Sequence, residues 1–257
     1  MKNKFVIQKS KKFFSLPLEQ EVKTISNEDL KNLPSLIQNY IKKINLLGKK
    51  QIKRVKLRQK GDFKLKPDSK WKHFTAEQYI NTEKLSFLWY GKIQMVPLVN
   101  VHVIDEYISG KGALSAKLMN LIKVVDEDGS KFDQGEFLRF LGETPWYPSL
   151  YIDKRLKWSK KGDSKLEIKL SDNGNDISGK ILFNEMGLIE EFTAKRYYNN
   201  QGQLSLEDWH GYCYDYKKIN DIMVPSRFKA CWHFEDFEYC YIRGNITDIE
   251  FNNTEIY

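Results

Sequence analysis

From about residue 51 to its end, the chain alternates apolar and polar residues in short segments rich in aromatic and β-branched side chains. Asn, Gly and Asp residues separate these segments at roughly hairpin spacing. Short connections favour antiparallel pairing between strands that follow each other in sequence. Because helical periodicity is nearly absent between the strands, a parallel α/β sheet is excluded. The pattern predicts an α+β protein, mostly β, with one large curved antiparallel sheet.

Two helices are predicted to pack on this sheet. The first has a start signal formed by Ser26 and Asp29 and a proline, Pro34, that suits a first helical turn. Apolar residues then recur at helical spacing until Gly48 ends the element. The second helix lies in the middle of the chain and is predicted to begin at Asp133.

The chain shows no linker, low-complexity segment or internal boundary. We therefore predict an N-terminal arm over residues 1–25 and a single domain over residues 26–257. The basic N-terminus has an apolar part that is too short and too interrupted by lysines for a signal peptide. No apolar run approaches the roughly 20 residues of a membrane helix. A cytoplasmic protein is expected, unless the chain is the mature part of a longer precursor.

Charge is unevenly distributed along the chain. Residues 1–60 contain 16 Lys or Arg and 4 Asp or Glu, although the net charge of all 257 residues is only +8. The segment Lys42–Lys60 carries nine basic residues and no acidic one. Such a segment is either a solvated surface or a contact with a membrane surface or a nucleic acid. Because no nucleic-acid motif accompanies it, we predict no nucleic-acid partner and retain a membrane-surface contact as an alternative.

The cysteines and histidines do not form a pattern that predicts a metal site. Cys213, Cys231 and Cys240 are odd in number and lack CxxC spacing, which argues against both a zinc site and a disulfide framework. Each lies in an aromatic strand pattern, where a free thiol is usually a small buried apolar group. The four histidines are dispersed, and no nucleophile elbow or phosphate-binding loop is present. We predict no metal and no cofactor.

The segment Asp133–Leu150 is the strongest candidate for a functional site. One face of its predicted helix carries, at i, i+3, i+4 and i+7 spacing, Glu136, Arg139, Phe140 and Glu143. Trp146 follows in an aromatic turn. One interpretation is a charged group at the mouth of a cavity, oriented by Trp146. The other is a helix whose charges pair locally and whose tryptophan plugs the sheet.

The aromatic residues also allow two interpretations, a ligand-binding surface or a packed core. Tyr212, Tyr214 and Tyr216 are expected on one face of a single strand. A curved sheet with an aromatic concave face can enclose an apolar ligand. Such residues can equally well fill the core.

An ordered set of motifs carries a family resemblance from Leu33 to Phe251. The motifs are LPSLIQNYI, VKLRQKGDF, WKHFTAEQY, FLWYGKI, VIDEYISGKGAL, GEFLRFLGETPWYP, AKRY, DWHGYCYDY and MVPSRFKACW. Their order and spacing resemble an uncharacterised bacterial family that is known only as a domain of unknown function. The resemblance implies a half-barrel of antiparallel strands, similar to bacterial lipoprotein carriers. It implies no established activity, because fold does not confer function.

Among the motif residues, the charged members Asp105, Arg139, Glu143 and Arg196 are either a site or a buried ion network. The leading hypothesis is a non-enzymatic protein that binds an acyl chain or another apolar small molecule in the half-barrel. The alternative is an enzyme in which Glu143 is a general acid or base and Arg139 or Arg196 holds an anionic group. The sequence gives no oligomeric state. The predicted ligand-binding residues are Arg139, Glu143, Trp146, Arg196, Trp209 and Trp232.

Overall fold

The computed structural model describes residues 4–14, 21–119, 122–200 and 202–257, and the strands of these residues form one antiparallel sheet. The strands are β1 (Arg54–Phe63), β2 (Lys72–Asn81), β3 (Ser86–Val96), β4 (Val99–Ile108), β5 (Lys111–Leu118), β6 (Ile122–Glu127), β7 (Lys157–Lys160), β8 (Lys165–Asp172), β9 (Asn175–Phe183), β10 (Ile189–Asn200), β11 (Gln203–Ile219), β12 (Ile222–His233) and β13 (Glu238–Phe251). The sheet curls into a half-barrel, which confirms the predicted fold.

The sheet consists of two meanders that meet at its centre. Strands β1 to β6 pair in sequence order on one side, and β13 back to β7 pair in order on the other. The meanders are joined where β1 pairs with β13, with Val55 opposite Phe251 and Leu57 opposite Ile249. Strands β6 and β7 are therefore the two edges.

The side chains of β1 alternate between the two faces of the sheet, as the alternation of apolar and polar residues predicts. Leu57 and Gln59 are buried, whereas Arg58 and Lys60, their neighbours, are exposed. The buried set lines the concave face, where the hydrophobic core lies. Alternation of this kind is expected for a sheet with one covered face.

A helix between the two edge strands covers part of the concave face. Helix α4 (Ser130–Gly142) leaves β6, crosses the interior and packs on β4 and β5 and on β9 and β10. Two short 3-10 turns, Thr144–Trp146 and Pro148–Ile152, then lead to β7. The mid-chain helix predicted from the sequence is thus confirmed.

Helix α4 begins one turn earlier than predicted, at Ser130 rather than Asp133. The Asp133 carboxylate is engaged elsewhere, because it accepts hydrogen bonds from the Gly112 backbone N–H (2.8 Å) and from Lys111 Nζ (2.9 Å). Glycine is required at position 112, since a Cβ atom there would lie 2.9 Å from the Phe132 carbonyl oxygen. The helix and the strand therefore approach closely at this point.

The first predicted helix is divided in two. Helix α2 (Asn27–Leu30) begins at the predicted signal, where the Ser26 N–H donates to Asp29 Oδ2 at 2.8 Å, and α3 (Ser35–Lys43) follows Pro34. The break is expected because proline has no N–H and disfavours helical geometry in the residue before it. Helix α3 buries Ile37, Tyr40 and Ile41, which are part of the stripe predicted from the sequence.

Part of the predicted N-terminal arm forms a helix on the outside of the half-barrel. Helix α1 (Lys4–Phe14) packs Phe13 and Phe14 against Tyr79 and Leu88, which point away from the concave face. Residues 1–3 and 15–20 of the arm lie outside the described residues. None of the helices in the described ranges is long and apolar enough to cross a membrane.

Two expectations about particular residues need correction. Cys231 and Cys240 were expected to be free thiols, but they form a disulfide between directly opposite residues of β12 and β13. The two cysteines are nine residues apart without CxxC spacing, and their pairing depends on the register between β12 and β13. Cys213 remains free, and burial raises the pKa of its thiol to about 12.

The basic segment Lys42–Lys60 does not form one continuous exposed face. Arg54 and Lys56 are only 4% and 5% exposed, and Lys56 pairs with Glu250 at 3.1 Å. Lys49 lies 3.5 Å from an Asp221 carboxylate oxygen, which neutralises a further charge. The contact with a membrane surface remains a prediction, with fewer available charges than the sequence indicated.

Candidate functional site

A cavity of about 1230 Å3, partly open to solvent, lies between the concave face of the sheet and α4. Ligand cavities in proteins are commonly about 300–1,000 Å3, so this one is large. Most of its wall is apolar, and β3, β4, β5 and β12 all contribute apolar side chains to it. The apolar lining includes Trp89, Ile93, Val101, Val103, Leu114, Phe228 and Trp232. All six residues predicted to bind a ligand line this cavity.

Arg139, on α4, is the centre of a polar cluster that lines the cavity. Its guanidinium donates to a carboxylate oxygen of Asp105 on β4 and, at 2.9 Å, to Glu143 Oε1 one helical turn away. The cation also lies over the rings of Phe87 (4.8 Å) and Trp89 (5.4 Å). Burial by itself would lower the pKa of Arg139, but the carboxylates of Glu143 and Asp105 together have the larger, opposite effect. The pKa is therefore raised and the side chain is cationic.

Arg196 on β10 forms the second buried ion pair. Its guanidinium donates to Glu136 Oε1 at 2.6 Å and lies between the rings of Trp209 (5.2 Å) and Trp232 (5.6 Å). The Trp209 indole N–H donates to the Tyr241 hydroxyl at 3.2 Å. Trp209 and Trp232, both predicted to bind a ligand, thus fix the position of Arg196. The ion pair between Arg196 and Glu136 in turn links β10 to α4.

Amide side chains extend the cluster across the sheet. The Trp89 indole N–H donates to Gln59 Oε1 (2.8 Å), Gln59 Nε2 lies 3.5 Å from Gln78 Oε1, and Gln78 Nε2 donates to Glu143 Oε2 (2.5 Å). Both oxygens of Glu143 are therefore occupied. Removing one member of such a network leaves its partners unsatisfied in a buried setting.

Two carboxylate oxygens of the cluster accept no hydrogen bond in the structure: Asp105 Oδ1 and Glu136 Oε2. The two carboxyls are neighbours, and Asp105 can accept a hydrogen bond from a protonated Glu136. Burial, followed by the Asp105 carboxylate, raises the pKa of Glu136 to about 8 despite the opposing effect of Arg196. Near neutral pH the pair formed by Glu136 and Asp105 thus holds a proton.

Trp146 lies as in the second interpretation of the sequence, in which the tryptophan packs on the sheet. Its indole N–H donates to the Pro225 carbonyl (3.1 Å), and its ring packs edge-on against Phe228 at 5.2 Å. Trp146 thus joins the turn that follows α4 to β12 at the cavity wall. Phe140, expected on the charged face of the helix, packs instead between Phe137 and Tyr147.

Asp105 and Glu136 were not among the predicted ligand-binding residues. A sequence signal existed for both, since Asp105 is a charged motif residue and Glu136 shares the helical face of Arg139 and Glu143. The sequence could not show that they are neighbours, because that contact depends on how α4 crosses the sheet.

The raised pKa of Glu136 makes the stability of the fold pH-dependent. Since the folded state holds this proton more tightly than the unfolded state, the resulting stabilisation is complete below the unfolded pKa and is lost as pH rises through about 8. We expect the wild type to lose stability relative to Glu136→Gln between about pH 5 and about pH 8.5. Urea unfolding of both proteins across this range measures the difference. If the free energy of unfolding depends on pH in the same way in both proteins, the raised pKa does not belong to Glu136.

Together, the curled sheet, the crossing helix and the cavity define a half-barrel protein with a polar cluster inside an aromatic interior. The chain belongs to a family of unknown function, DUF6920, whose model matches residues 31–251. The match confirms the resemblance to a domain of unknown function. No curated protein matches the chain.

Solved structures of similar fold share 9–11% sequence identity with this chain. One is a domain assigned to outer membrane lipoprotein sorting from Vibrio parahaemolyticus, with 11% identity, 84% of this chain and 91% of that chain covered, and a TM-score of 0.47. Another is a LolA superfamily protein from Nitrosomonas europaea, with 10% identity, 84% and 94% covered, and a TM-score of 0.45. A DUF1329 family protein from Desulfovibrio piger has 9% identity, 90% and 94% covered, and a TM-score of 0.37.

Proposed function

We propose that the protein binds an apolar small molecule or acyl chain in the half-barrel cavity and acts without chemical turnover. The observation that carries the proposal is the cavity itself, about 1230 Å3 of space between aromatic walls that the core leaves unfilled. Core interiors are normally close-packed, so a large apolar cavity indicates a ligand.

The arrangement of rigid elements supports binding. Most residues of the cavity wall lie on strands and on α4. The position of α4 is fixed by two ion pairs and by Phe137, which stacks on Tyr107 at 4.8 Å. Groups held on helices and strands keep their geometry better than groups on loops. The cavity is therefore formed before a ligand enters.

Filling the cavity should abolish binding. Ala230 lies on the concave face of β12 and lines the cavity, so Ala230→Trp places a large ring in the space that a ligand would occupy. We expect gently purified wild-type protein to carry an extractable lipid-like molecule in native mass spectrometry, and Ala230→Trp to carry none. Thermal unfolding establishes that the variant is folded.

The matched control adds the same ring outside the cavity. Arg227 is an exposed residue of β12 that does not line the cavity. Arg227→Trp should retain the molecule as the wild type does. If Ala230→Trp retains as much bound molecule as Arg227→Trp, the cavity is not the binding site.

A second candidate function is an enzyme that uses a carboxyl of the cluster as a general acid or base. For this role we favour Glu136 over Glu143, because burial and the neighbouring Asp105 raise the pKa of Glu136 to about 8. Both oxygens of Glu143 are engaged by Arg139 and Gln78. Consumption of a bound ligand by the wild type but not by Glu136→Gln would favour the enzyme over the carrier.

A further inference from the structure

The hairpin formed by β12 and β13 presents four side chains of the kinds that bind metal ions on one face of the sheet. Cys231 lies directly opposite Cys240, and His233 lies directly opposite Glu238. On each strand the two residues are two positions apart, so all four side chains leave the same face. Trp232, between Cys231 and His233, lines the cavity, so the four side chains lie on the outer face.

The ligand atoms of this group lie close together in the folded protein. Among the residues that the structure describes, the sulfur atoms of Cys231 and Cys240 and a carboxylate oxygen of Glu238 lie within 4.8 Å of one another. Glu238 Oε1 is 3.0 Å from Cys240 Sγ. His233 Nε2 is 2.9 Å from Glu238 Oε2 and 3.3 Å from the Tyr212 hydroxyl. The Glu238 carboxylate therefore connects the imidazole to the pair of cysteines.

Neighbouring side chains fix the position of the hairpin and of its histidine. The His233 ring stacks on the His210 ring with centroids 3.8 Å apart, and His210 Nδ1 lies 2.6 Å from Glu191 Oε1. In the turn of the hairpin, the Phe234 N–H donates to the Phe237 carbonyl at 2.9 Å, and the two rings stack at 4.7 Å. Supporting contacts of this kind orient the side chains of a metal site before the metal binds.

The disulfide controls whether two of these four side chains can bind a metal ion. While the bond between Cys231 and Cys240 is closed, neither sulfur is a thiolate, the form that binds metals. A dithiol reductant supplies two electrons and two protons: the S–S bond breaks, two S–H bonds form, and the reductant closes its own disulfide. Because Cys240 is partly exposed and Cys231 is buried, the thiolate of the reductant attacks the Cys240 sulfur.

We propose that reduction of this disulfide creates a zinc site on the outer face of the sheet, with Cys231, His233, Glu238 and Cys240 as its four ligands. Thiolates, imidazoles and carboxylates are the ligand types that zinc binds in proteins, with tetrahedral geometry in four-coordinate sites. Zinc takes up the two thiolates and releases their two protons. None of the four residues lines the cavity, so the zinc site is separate from the proposed binding of an apolar ligand.

The observed distances are close to those of such a site. With Zn–S bonds of about 2.3 Å and Zn–N and Zn–O bonds of about 2.1 Å, neighbouring ligand atoms of a tetrahedral site are about 3.3–3.8 Å apart. The contacts of Glu238 with His233 (2.9 Å) and with Cys240 (3.0 Å) need to open by only about half an ångström to admit the ion. The released sulfurs can separate to about 3.8 Å, because directly opposite strand residues have Cβ atoms about 4.5–5.5 Å apart.

Zinc binding by the oxidised and the reduced protein tests the proposal. The whole chain is reduced with dithiothreitol, freed of the reductant without oxygen, and titrated with zinc or with cobalt(II). We expect the reduced protein to bind one zinc ion in native mass spectrometry, with loss of two protons, and to bind it at least about 100-fold more tightly than the oxidised protein. Cobalt(II) should give sulfur-to-metal absorption and the intense visible bands of a tetrahedral site in the reduced protein alone.

Variants of the reduced protein assign the ligands. His233→Ala and Glu238→Gln should each weaken zinc binding at least about tenfold, and Cys240→Ser should also lower the sulfur-to-cobalt absorption by about half. The matched controls are His73→Ala, since His73 also contacts a carboxylate (2.7 Å) on the surface of the sheet, and Glu235→Gln, an exposed glutamate in the turn of the same hairpin. Both controls should bind zinc as the wild type does.

Every outcome supports or overturns the proposal. If the reduced wild type binds no zinc, or binds it no more tightly than the oxidised protein, the disulfide does not conceal a metal site. This comparison needs no variant, so it decides even if a substitution prevents folding. Zinc binding that is unchanged in His233→Ala and in Glu238→Gln overturns the assignment of these two ligands.

Discussion

Replacing Arg139 with methionine should destabilise the fold by roughly 3–5 kcal/mol, because the change leaves the carboxylates of buried Asp105 and partly buried Glu143 without their shared cation. Methionine keeps the length and apolar contacts of the side chain, so the loss reports mainly on charge. Urea unfolding followed by circular dichroism measures the change in the free energy of unfolding.

The control for this prediction is an exposed pair of the same type. Arg227 binds Asp215 at 3.0 Å with both side chains about half exposed, and such surface pairs contribute at most about 1 kcal/mol. Arg227→Met should therefore be nearly neutral. If Arg139→Met is as mild as Arg227→Met, the cluster is not a structural anchor of α4.

Replacing Phe137 with alanine should cost about 3–5 kcal/mol as well, for a different reason. Phe137 is fully buried, and its ring stacks on Tyr107 at 4.8 Å, so truncation opens a void between α4 and β4. Because α4 forms one wall of the binding cavity, we also expect weaker ligand retention. Thermal unfolding and native mass spectrometry of the same sample measure both effects.

An exposed apolar residue serves as the comparison for Phe137. Leu98, in the turn between β3 and β4, is 90% exposed, and Leu98→Ala should change the free energy of unfolding by no more than about 0.5 kcal/mol. A loss of stability in Phe137→Ala without any loss of bound molecule would show that α4 is not needed to close the cavity.

The strands and the antiparallel pairing of strands that follow each other in sequence were predictable because their signals are local. Alternation such as that of Leu57 and Gln59 with Arg58 and Lys60 identifies a strand, and a short turn places the next strand beside it. The charged face of α4 was equally visible, since Glu136, Arg139 and Glu143 follow helical spacing.

Features that depend on distant parts of the chain were not predictable in this way. The residues around Asp105 do not indicate that Glu136 will lie beside it. Those around Cys231 do not indicate that Cys240 will lie opposite it on the neighbouring strand and form a disulfide. The proton on Glu136 follows from burial, which exists only after α4 has crossed the sheet.

The junction between the two meanders has a consequence for how the protein folds. Within each meander, every strand pairs with its neighbour in sequence, so those hairpins close short loops. The junction instead joins the ends of the domain, where the Lys53 N–H donates to Asn252 across 199 residues. Non-local pairings form slowly, so each half of the barrel can assemble on its own before the junction closes. Until that step, the unpaired edges of β1 and β13 are open to other chains, and the concentration of protein during refolding decides between closure and aggregation.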